Sequence, residues 1–364
     1  MLVHRFTLLF LSLSFFILKS NAYAAPAEYE AYLESDVYGH SETSSIKQIA
    51  FDEFKGPHYR QGEFSFTHNR WESGIRFNNF KIAAIARYDY VLDYSEDLAE
   101  LVYTDKNKLE VDTNRDYELY LDVLHAHTSG VKLGYLTPLL PSLSMEVDIS
   151  LLNMSAFMDG SLSGDVQISE DSYTGNIELD YVYDKDRLLE RTAVAPDAYG
   201  YTLDLRWMFR PNEDLSIDAQ ILDLYSHIKI NRAPTTSAQA SSDRVNLDPS
   251  GRVDVKPVLT GREGYKEHTL RFPKRLSVEG RYRLSSMLEM GLGLHKYDSW
   301  MTSRLHVNGF ISEHGALQTV YDFKTKAVTL GWKGESWHFT LTSDRFDITD
   351  AYTFGSLIGA SFRF

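Results

Sequence analysis

Acidic and basic side chains recur at alternate positions in several segments of the chain, with apolar side chains between them. Charges of both signs on one strand face can line a water-filled passage and sort ions, or they can pair with one another in a closed interior. An unpaired buried ion is prohibitively costly, so one of these two arrangements must hold. We expect the water-filled arrangement. The residues expected on this inward face are Arg87, Asp89, Glu146, Asp148, Asp204, Arg206, Asp218, Glu279, Arg281 and Arg283.

Histidines, serines and loop carboxylates are the residues that could act as catalytic or metal-binding groups. His125 and His127 in LHAHT share one face of a predicted strand but have no acidic partner nearby in sequence, so we expect no metal there. The loop 95–116 is rich in carboxylates yet lacks the spaced Asp/Asn-Gly pattern of a calcium loop. No G-x-S-x-G motif is present, and the spacing of Ser299 and His306 singles out no catalytic set. We therefore expect no enzyme, no metal and no cofactor.

The composition excludes several other classes of protein. The chain has 364 residues, no cysteine and a formal net charge of −14. Without cysteine there are no disulfides, thiolate metal sites or cysteine nucleophiles. A chain this acidic is a poor candidate for binding nucleic acid, because phosphate backbones attract basic surfaces.

The elements that must position the charged residues are β-strands. In FKIAAIARYDYVLDY (80–94) and YGYTLDLRWMF (199–209), apolar and aromatic residues occupy every second position and the charged residues lie on the other face, which is typical of strands whose two faces meet different surroundings. The same pattern runs through 143–151, 177–183, 215–221, 275–284, 287–295 and 336–342.

The connections between these strands alternate in length. Short polar turns stand at 78–79, 210–214, 285–286 and 333–335, whereas long connections cover 95–114, 184–197 and 231–263. Tight turns at one rim and long loops at the other are typical of an up-and-down transmembrane β-barrel. The sequence predicts an all-β antiparallel barrel over residues 61–364 with about 14 strands, in the range 12–16, since single-chain barrels of this kind have even strand numbers.

The N-terminal region carries the signs of secretion. Residues 1–24 have a basic start at His4 and Arg5, an apolar core from Phe6 to Leu18, and a small-x-small site that ends at Ala24. We expect a cleaved signal peptide. Residues 25–60 alternate weakly, so we expect a periplasmic segment or a segment folded into the lumen, with a first strand as a further alternative.

These features together resemble the Gram-negative outer-membrane β-barrel proteins, a broad, porin-like class. The last strand carries much of the likeness, because Ile358, Ala360, Phe362 and the final Phe364 stand at alternate positions. In that class such a strand is read by the barrel-assembly machinery, so the resemblance implies this partner and an assembly role for these four residues. It also implies location in the outer membrane and contact with its lipid and lipopolysaccharide.

Three functions remain open from the sequence. The first is a passive channel for small hydrophilic solutes, which the charged inward face favours because barrels of more than about ten strands have interior room. The second is a non-conducting barrel with a structural, assembly or surface-interaction role carried by the long loops. An outer-membrane enzyme is the third and the least supported.

Overall fold

A computed structural model describes most of the chain. It covers residues 29–51, 54–57, 59–113, 115–169, 173–186, 192–194, 196–242, 245–247, 253–255, 258–312 and 315–364. The predicted signal peptide, 1–24, lies outside the described residues. Within the described ranges, no helix has the length and apolar character needed to cross a membrane.

The described chain is almost entirely β-strand. The strands are β1 (Tyr29–Ser41), β2 (Phe64–Phe77), β3 (Phe80–Tyr94), β4 (Arg115–Leu140), β5 (Leu143–Ile168), β6 (Tyr173–Tyr183), β7 (Ala198–Phe209), β8 (Leu215–Ser241), β9 (Val245–Leu247), β10 (Val253–Val255), β11 (Val258–Leu270), β12 (Arg275–Ser285), β13 (Leu288–Tyr297), β14 (Trp300–Ser312), β15 (Gly315–Asp322), β16 (Val328–Gly334), β17 (Trp337–Ser343) and β18 (Thr353–Arg363). Two short helices, α1 (Ile46–Ala50) and α2 (Glu96–Asn107), lie in connections at the long-loop rim.

The strands form one closed antiparallel barrel. Sixteen of them belong to the main sheet. Strands β6 and β7 occupy one position on one side of β8, and β11 and β12 occupy one position on its other side. The barrel therefore has fourteen strand positions. The first and last strands close the sheet, in a register that runs from Glu30 opposite Arg363 to His40 opposite Thr353. The predicted fold class and strand number are confirmed.

The start of the barrel differs from the boundary predicted at residue 61. Residues 29–41 form β1, which pairs with both β18 and β2, so the barrel begins at Tyr29 and not after a separate segment over 25–60. The alternation of apolar and polar residues is weak in β1 because its inner face carries Tyr32 and Tyr38 among the carboxylates. Polar and aromatic residues therefore occur on the same side of this strand.

The wall of the barrel is much higher on one side than on the other. Strands β4, β5 and β8 have 26, 26 and 27 residues, whereas β16 and β17 have seven each. The segments 161–169 and 173–183, which could have been barrel strands or a separate hairpin, extend this high wall as the end of β5 and as β6.

An apolar belt covers the outer face. The exposed apolar side chains that point outward include Leu33, Ile75, Ile82, Val131, Leu133, Ile149, Leu151, Leu276, Val278, Leu292, Leu294, Leu330, Leu341, Ile358 and Phe362. Aromatic pairs stand at the rim of short turns: Phe80 against Tyr135, with ring centroids 4.9 Å apart, and Tyr29 against Phe364, 5.9 Å apart. Such a belt with an aromatic girdle matches the hydrocarbon and interfacial layers of a bilayer.

The two faces of β18 lead to a stability prediction. Ile358 lies midway along the strand and points into the belt, so Ile358→Lys should lower the free energy of unfolding by about 2–4 kcal/mol, the cost of a cation near the bilayer midplane. Urea titration in lipid vesicles, followed by the heat-modifiable gel shift of folded barrels, measures this. Ser361→Lys, on the inner face, is the control and should fold like the parent. Equal losses in the two variants would contradict the assigned faces.

Candidate functional site

The charged residues singled out in the sequence all lie on the inner side of the strands. The pairing of neighbouring strands shows this, because each of these residues lies beside another residue that faces the lumen. The pairs are Arg87 with Thr128, Asp148 with Asp204, and Glu279 with Asp218. The structure also brings to this face several charged residues outside that set, among them Arg70, Glu72, Lys81, Lys132, Asp223 and Arg275.

Two buried lysines organise one group of charges, here called the lysine network: Arg70, Glu72, Lys81, Lys132, Glu146, Asp148 and Asp204. The Lys132 side chain is completely buried, and its Nζ lies 3.0 Å from Glu72 Oε2 and 3.3 Å from Asp204 Oδ2. The Nζ of Lys81 is 2.5 Å from carboxylate oxygens of both Glu146 and Asp148. Each carboxylate of this network therefore has a cationic partner.

A second group, the arginine network, is built on Arg87, Asp89, Asp223 and Arg275. Arg87 donates two parallel hydrogen bonds to Asp223, of 2.6 and 2.9 Å, the forked geometry in which guanidinium and carboxylate bind most strongly. Arg87 also donates to Asp89 at 3.1 Å. The Asp223 backbone N–H donates to Asp204 Oδ1 at 2.9 Å, which joins this network to the lysine network.

Asp223 reaches the interior because of an irregularity in the sheet. The register between β7 and β8 shifts between Leu203 and Leu205, and Asp223 there has a φ of 55°, in the left-handed region that Asp tolerates better than most residues. Strict alternation along β8 would not identify such a position. The sequence therefore contains no clear signal for Asp223.

These ion pairs run across the lumen rather than along one strand. Arg70 on β2 binds Asp204 on β7, and Arg87 on β3 binds Asp223 on β8; in each case three strand positions lie between the partners. Arg304 on β14 donates to Tyr38 Oη on β1 at 3.4 Å. The charges in this part of the barrel are therefore satisfied mainly by one another.

Aromatic rings from opposite walls meet in the same interior. The aromatic layer consists of Tyr38, His40, Phe66, Tyr297 and Trp300, and Phe66 lies 4.5 Å from Tyr297 and 5.3 Å from Trp300, centroid to centroid. Strands β2 and β13, which carry Phe66 and Tyr297, are diametrically opposite, with six positions between them in either direction. The two walls therefore touch at this level.

The space beside the high wall is also filled. A buried apolar cluster joins inward side chains of β3, β4, β5 and β8 with the end of β11 and the segment that follows it. Its members include Ile85, Leu152, Phe157, Ile228, Leu270 and Phe272. The Arg87 guanidinium stacks on the Phe272 ring at 4.2 Å, so the apolar cluster and the arginine network pack directly together.

In the part of the chain that the structure describes, the barrel has a cavity at each rim. The outer vestibule, about 670 Å³, lies at the rim of long loops and is lined by His40, Glu42, Arg60, Lys324, Arg345 and Tyr352 among others. The inner vestibule, about 510 Å³, lies at the rim of short turns and is lined by Arg210, Arg281, Arg283, Glu289, Asn308 and Lys333 among others. In barrels of this type the long loops are extracellular and the short turns periplasmic.

Part of the predicted charged set borders the inner vestibule. Arg281 and Arg283 line it, and Arg281 binds Asp218 at 2.6 Å. Arg206 donates to Gln220 at 3.2 Å near the same rim. These residues reach water, whereas Arg87, Asp89 and Asp204 are buried among their partners.

The wall of the outer vestibule is stabilised by a cation over a ring. The Arg60 guanidinium lies 3.7 Å from the centre of the Tyr352 ring in the loop before β18. Burial raises the pKa of Tyr352, and the nearby Arg60 opposes that rise. The phenol stays neutral at physiological pH, so the charges of this rim come from its basic and acidic side chains, which include Arg60, Lys324, Arg345, Glu42 and Asp344.

Comparison by sequence finds no matching protein family and no matching curated protein. Solved structures do share the fold. The structure of a deltaS2S3 mutant of the monoaromatic hydrocarbon channel TodX has a TM-score of 0.50 and 9% identity, with 93% of this chain and 91% of that chain covered. The toluene transporter TodX from P. putida has a TM-score of 0.43 and 10% identity over 93% and 91%, and the monoaromatic hydrocarbon channel CymD has 0.41 and 7% over 93% and 87%.

The buried lysine network leads to a second stability prediction. Lys132→Met should lower the free energy of unfolding by about 3–5 kcal/mol, because Glu72 and Asp204 lose a buried cationic partner. The control is Lys229→Met, which removes an exposed lysine 3.7 Å from Glu267 and should change stability by at most about 1 kcal/mol. Denaturant titration of both variants beside the parent gives the comparison, and a Lys132→Met barrel as stable as the control would show that the network is not important for stability.

The fold, the closed hydrogen bonding and the lipid-facing belt agree with the resemblance drawn from the sequence. This chain has the fold of the outer-membrane β-barrel proteins, and that fold is consistent with a place in the outer membrane.

Proposed function

We propose that this protein is an outer-membrane channel for small, largely apolar molecules. In the conformation of this structure, its lumen is closed to ions. The observation that carries the proposal is the aromatic layer, which lies between the two vestibules and is built from rings of opposite walls. A layer of this composition excludes hydrated ions but offers ring faces and edges to an apolar guest.

The pairing of the charges argues against the hydrophilic solutes expected from the sequence. A hydrated, selective pore needs fixed charges that face water, yet the most central of the predicted residues are paired: Arg87 binds Asp89 and Asp223, and Asp204 binds Lys132. Arg87 is 2% exposed and Asp89 is 2% exposed, so neither presents its charge to a passing solute. The charged interior therefore supports a closed septum better than a polar passage.

The fold likeness supports the same choice of solute. The matched TodX variant is described as a monoaromatic hydrocarbon channel, which makes a small aromatic compound a reasonable first probe for this barrel.

The aromatic layer has room for specific contacts with a guest. Within the described residues, the Tyr297 hydroxyl and the Trp300 indole N–H form no hydrogen bond although both are buried. A buried donor without an acceptor is costly, so an aromatic molecule that carries one oxygen would gain affinity there. We infer that phenols and similar compounds bind more tightly than toluene.

A non-conducting barrel is the second candidate. The cross-lumen pairs favour it, because Arg87–Asp223 and Arg70–Asp204 tie distant strands together and would have to break or shift for the lumen to widen. In that case the long connections at the outer rim carry the function.

Planar-bilayer recording tests the closure. The parent should show no single-channel steps, and Phe66→Ala combined with Tyr297→Ala should show them, because this change removes two rings that meet at 4.5 Å from opposite walls. Tyr199→Ala combined with Phe339→Ala, which truncates two exposed outward-facing rings, is the matched control and should stay silent. Ion steps in the parent would overturn the closure.

Uptake of a labelled aromatic tests the solute. Cells that express the parent should take up toluene and phenol several-fold faster than cells without it, and Phe66→Lys should abolish the gain while the heat-modifiable folded band persists. If Phe66→Lys does not fold, Trp300→Ala provides the second variant, with an altered ratio of phenol to toluene uptake expected. Equal uptake with and without the parent would favour the non-conducting barrel.

A further inference from the structure

Two histidines and a glutamate converge just above the inner vestibule. Glu279 on β12, His295 on β13 and His306 on β14 each offer one ligand atom, and these atoms lie within 4.8 Å of one another. His295 Nε2 is 3.3 Å from Glu279 Oε1. Donor atoms about 2.0–2.1 Å from a tetrahedral Zn²⁺ are separated by roughly 3.3 Å, so this pair already has the spacing of two ligands.

Gly293 creates the space at the centre of the cluster. It stands on β13 opposite Glu279 on one side and Arg304 on the other. A Cβ at this position would lie 3.1 Å from the Nε2 atoms of both His295 and His306 and 3.2 Å from Glu279 Cγ. Gly293 is not among the glycines with a positive φ, so the backbone does not require glycine here. The missing side chain leaves room at the point where the three donors meet.

The two histidine nitrogens have no hydrogen-bond partner in the part of the chain that the structure describes. His295 Nε2 and His306 Nε2 are both buried, and although Glu279 is near, its geometry to His295 is not that of a hydrogen bond. Buried nitrogen atoms without a partner are costly. A metal ion coordinated by both would satisfy them at once.

Neighbouring arginines are engaged elsewhere. Arg281 binds Asp218 at 2.6 Å and is 4.0 Å from Glu279, and Arg304 binds Asp322 at 3.0 Å. Their charges are therefore largely compensated by other carboxylates. The cluster is reachable from water, since the side chains of Glu279 and His295 are 24% and 19% exposed, and Arg281 lines the inner vestibule directly below.

We propose that Glu279, His295 and His306 bind a divalent transition-metal ion of the Zn²⁺ class at the inner end of the barrel. Two imidazoles and one carboxylate suit Zn²⁺ better than Mg²⁺ or Ca²⁺, which prefer oxygen ligands only. Three protein ligands leave a coordination position open toward the vestibule, which suits exchange with the periplasm or binding of a vestibule molecule. This site is independent of the proposed solute.

The sequence predicted no metal site. The nearest sequence signal was the His125–His127 pair, but those side chains are on the outer face, where His125 packs edge-on against Tyr88 at 5.2 Å. The three ligands come from three successive strands, separated by turns, so no short spacing motif contains them.

Metal titration of the refolded full-length protein tests the proposal. After treatment with chelator, the parent should bind one Co²⁺ with visible d–d absorption bands, and Zn²⁺ should displace it. His306→Gln should abolish the bands, and Gly293→Ala should weaken binding by about 10–100-fold, an effect comparable to the loss of a supporting contact around a metal.

Two controls separate ligation from general damage to the barrel. Gly309→Ala adds a methyl group on β14 where nothing lies within 4 Å, and His338→Gln alters a histidine on β17, so both should bind Co²⁺ like the parent. The heat-modifiable band reports folding of every variant. Absence of the bands in the parent, or parent-like binding by folded Gly293→Ala and His306→Gln, would overturn the site.

Discussion

The closure of the sheet is the constraint on which the rest of this structure depends. A bilayer interior supplies no water to unpaired backbone groups, so the edges of β1 and β18 must hydrogen-bond to one another. Closure at fourteen positions separates two surfaces that alternate along every strand. One surface meets lipid and is apolar, and the other encloses a volume that side chains or water must fill.

Here side chains from different walls meet across the lumen. The lysine and arginine networks are joined by the hydrogen bond from the Asp223 backbone N–H to Asp204, and the aromatic layer and apolar cluster pack beside them. A buried charge in such a space is tolerated only with a partner, which explains why cations and carboxylates approach from different walls. These pairs hold opposite walls at fixed distances, so the same contacts that stabilise the interior also close it.

The two ends of the barrel differ in chemistry because they differ in height and in packing. Toward the long loops, the high wall of β4, β5 and β8 covers an apolar interior that leads to the aromatic layer. Toward the short turns, arginines and carboxylates stand in a wet vestibule, and the Glu279–His295–His306 cluster lies between this water and the rings. An apolar guest and a metal ion would thus meet different levels of one lumen, from opposite sides of the membrane.

The sequence by itself determined the fold class, the approximate strand number and the outward register of Ile358 and Phe362, because lipid demands an apolar residue at every second position. It also placed Arg87, Asp148 and Glu279 on the inner face, since their neighbours alternate strictly. It did not show which inner groups meet. The Arg87–Asp223 pair depends on a register shift in β8, the Phe66–Tyr297 contact on the curvature that brings diametrically opposite strands together, and the space at Gly293 on three strands at once. Only the tertiary structure decided these contacts, because alternation along a strand specifies which way a side chain points but not how far away the opposite wall lies.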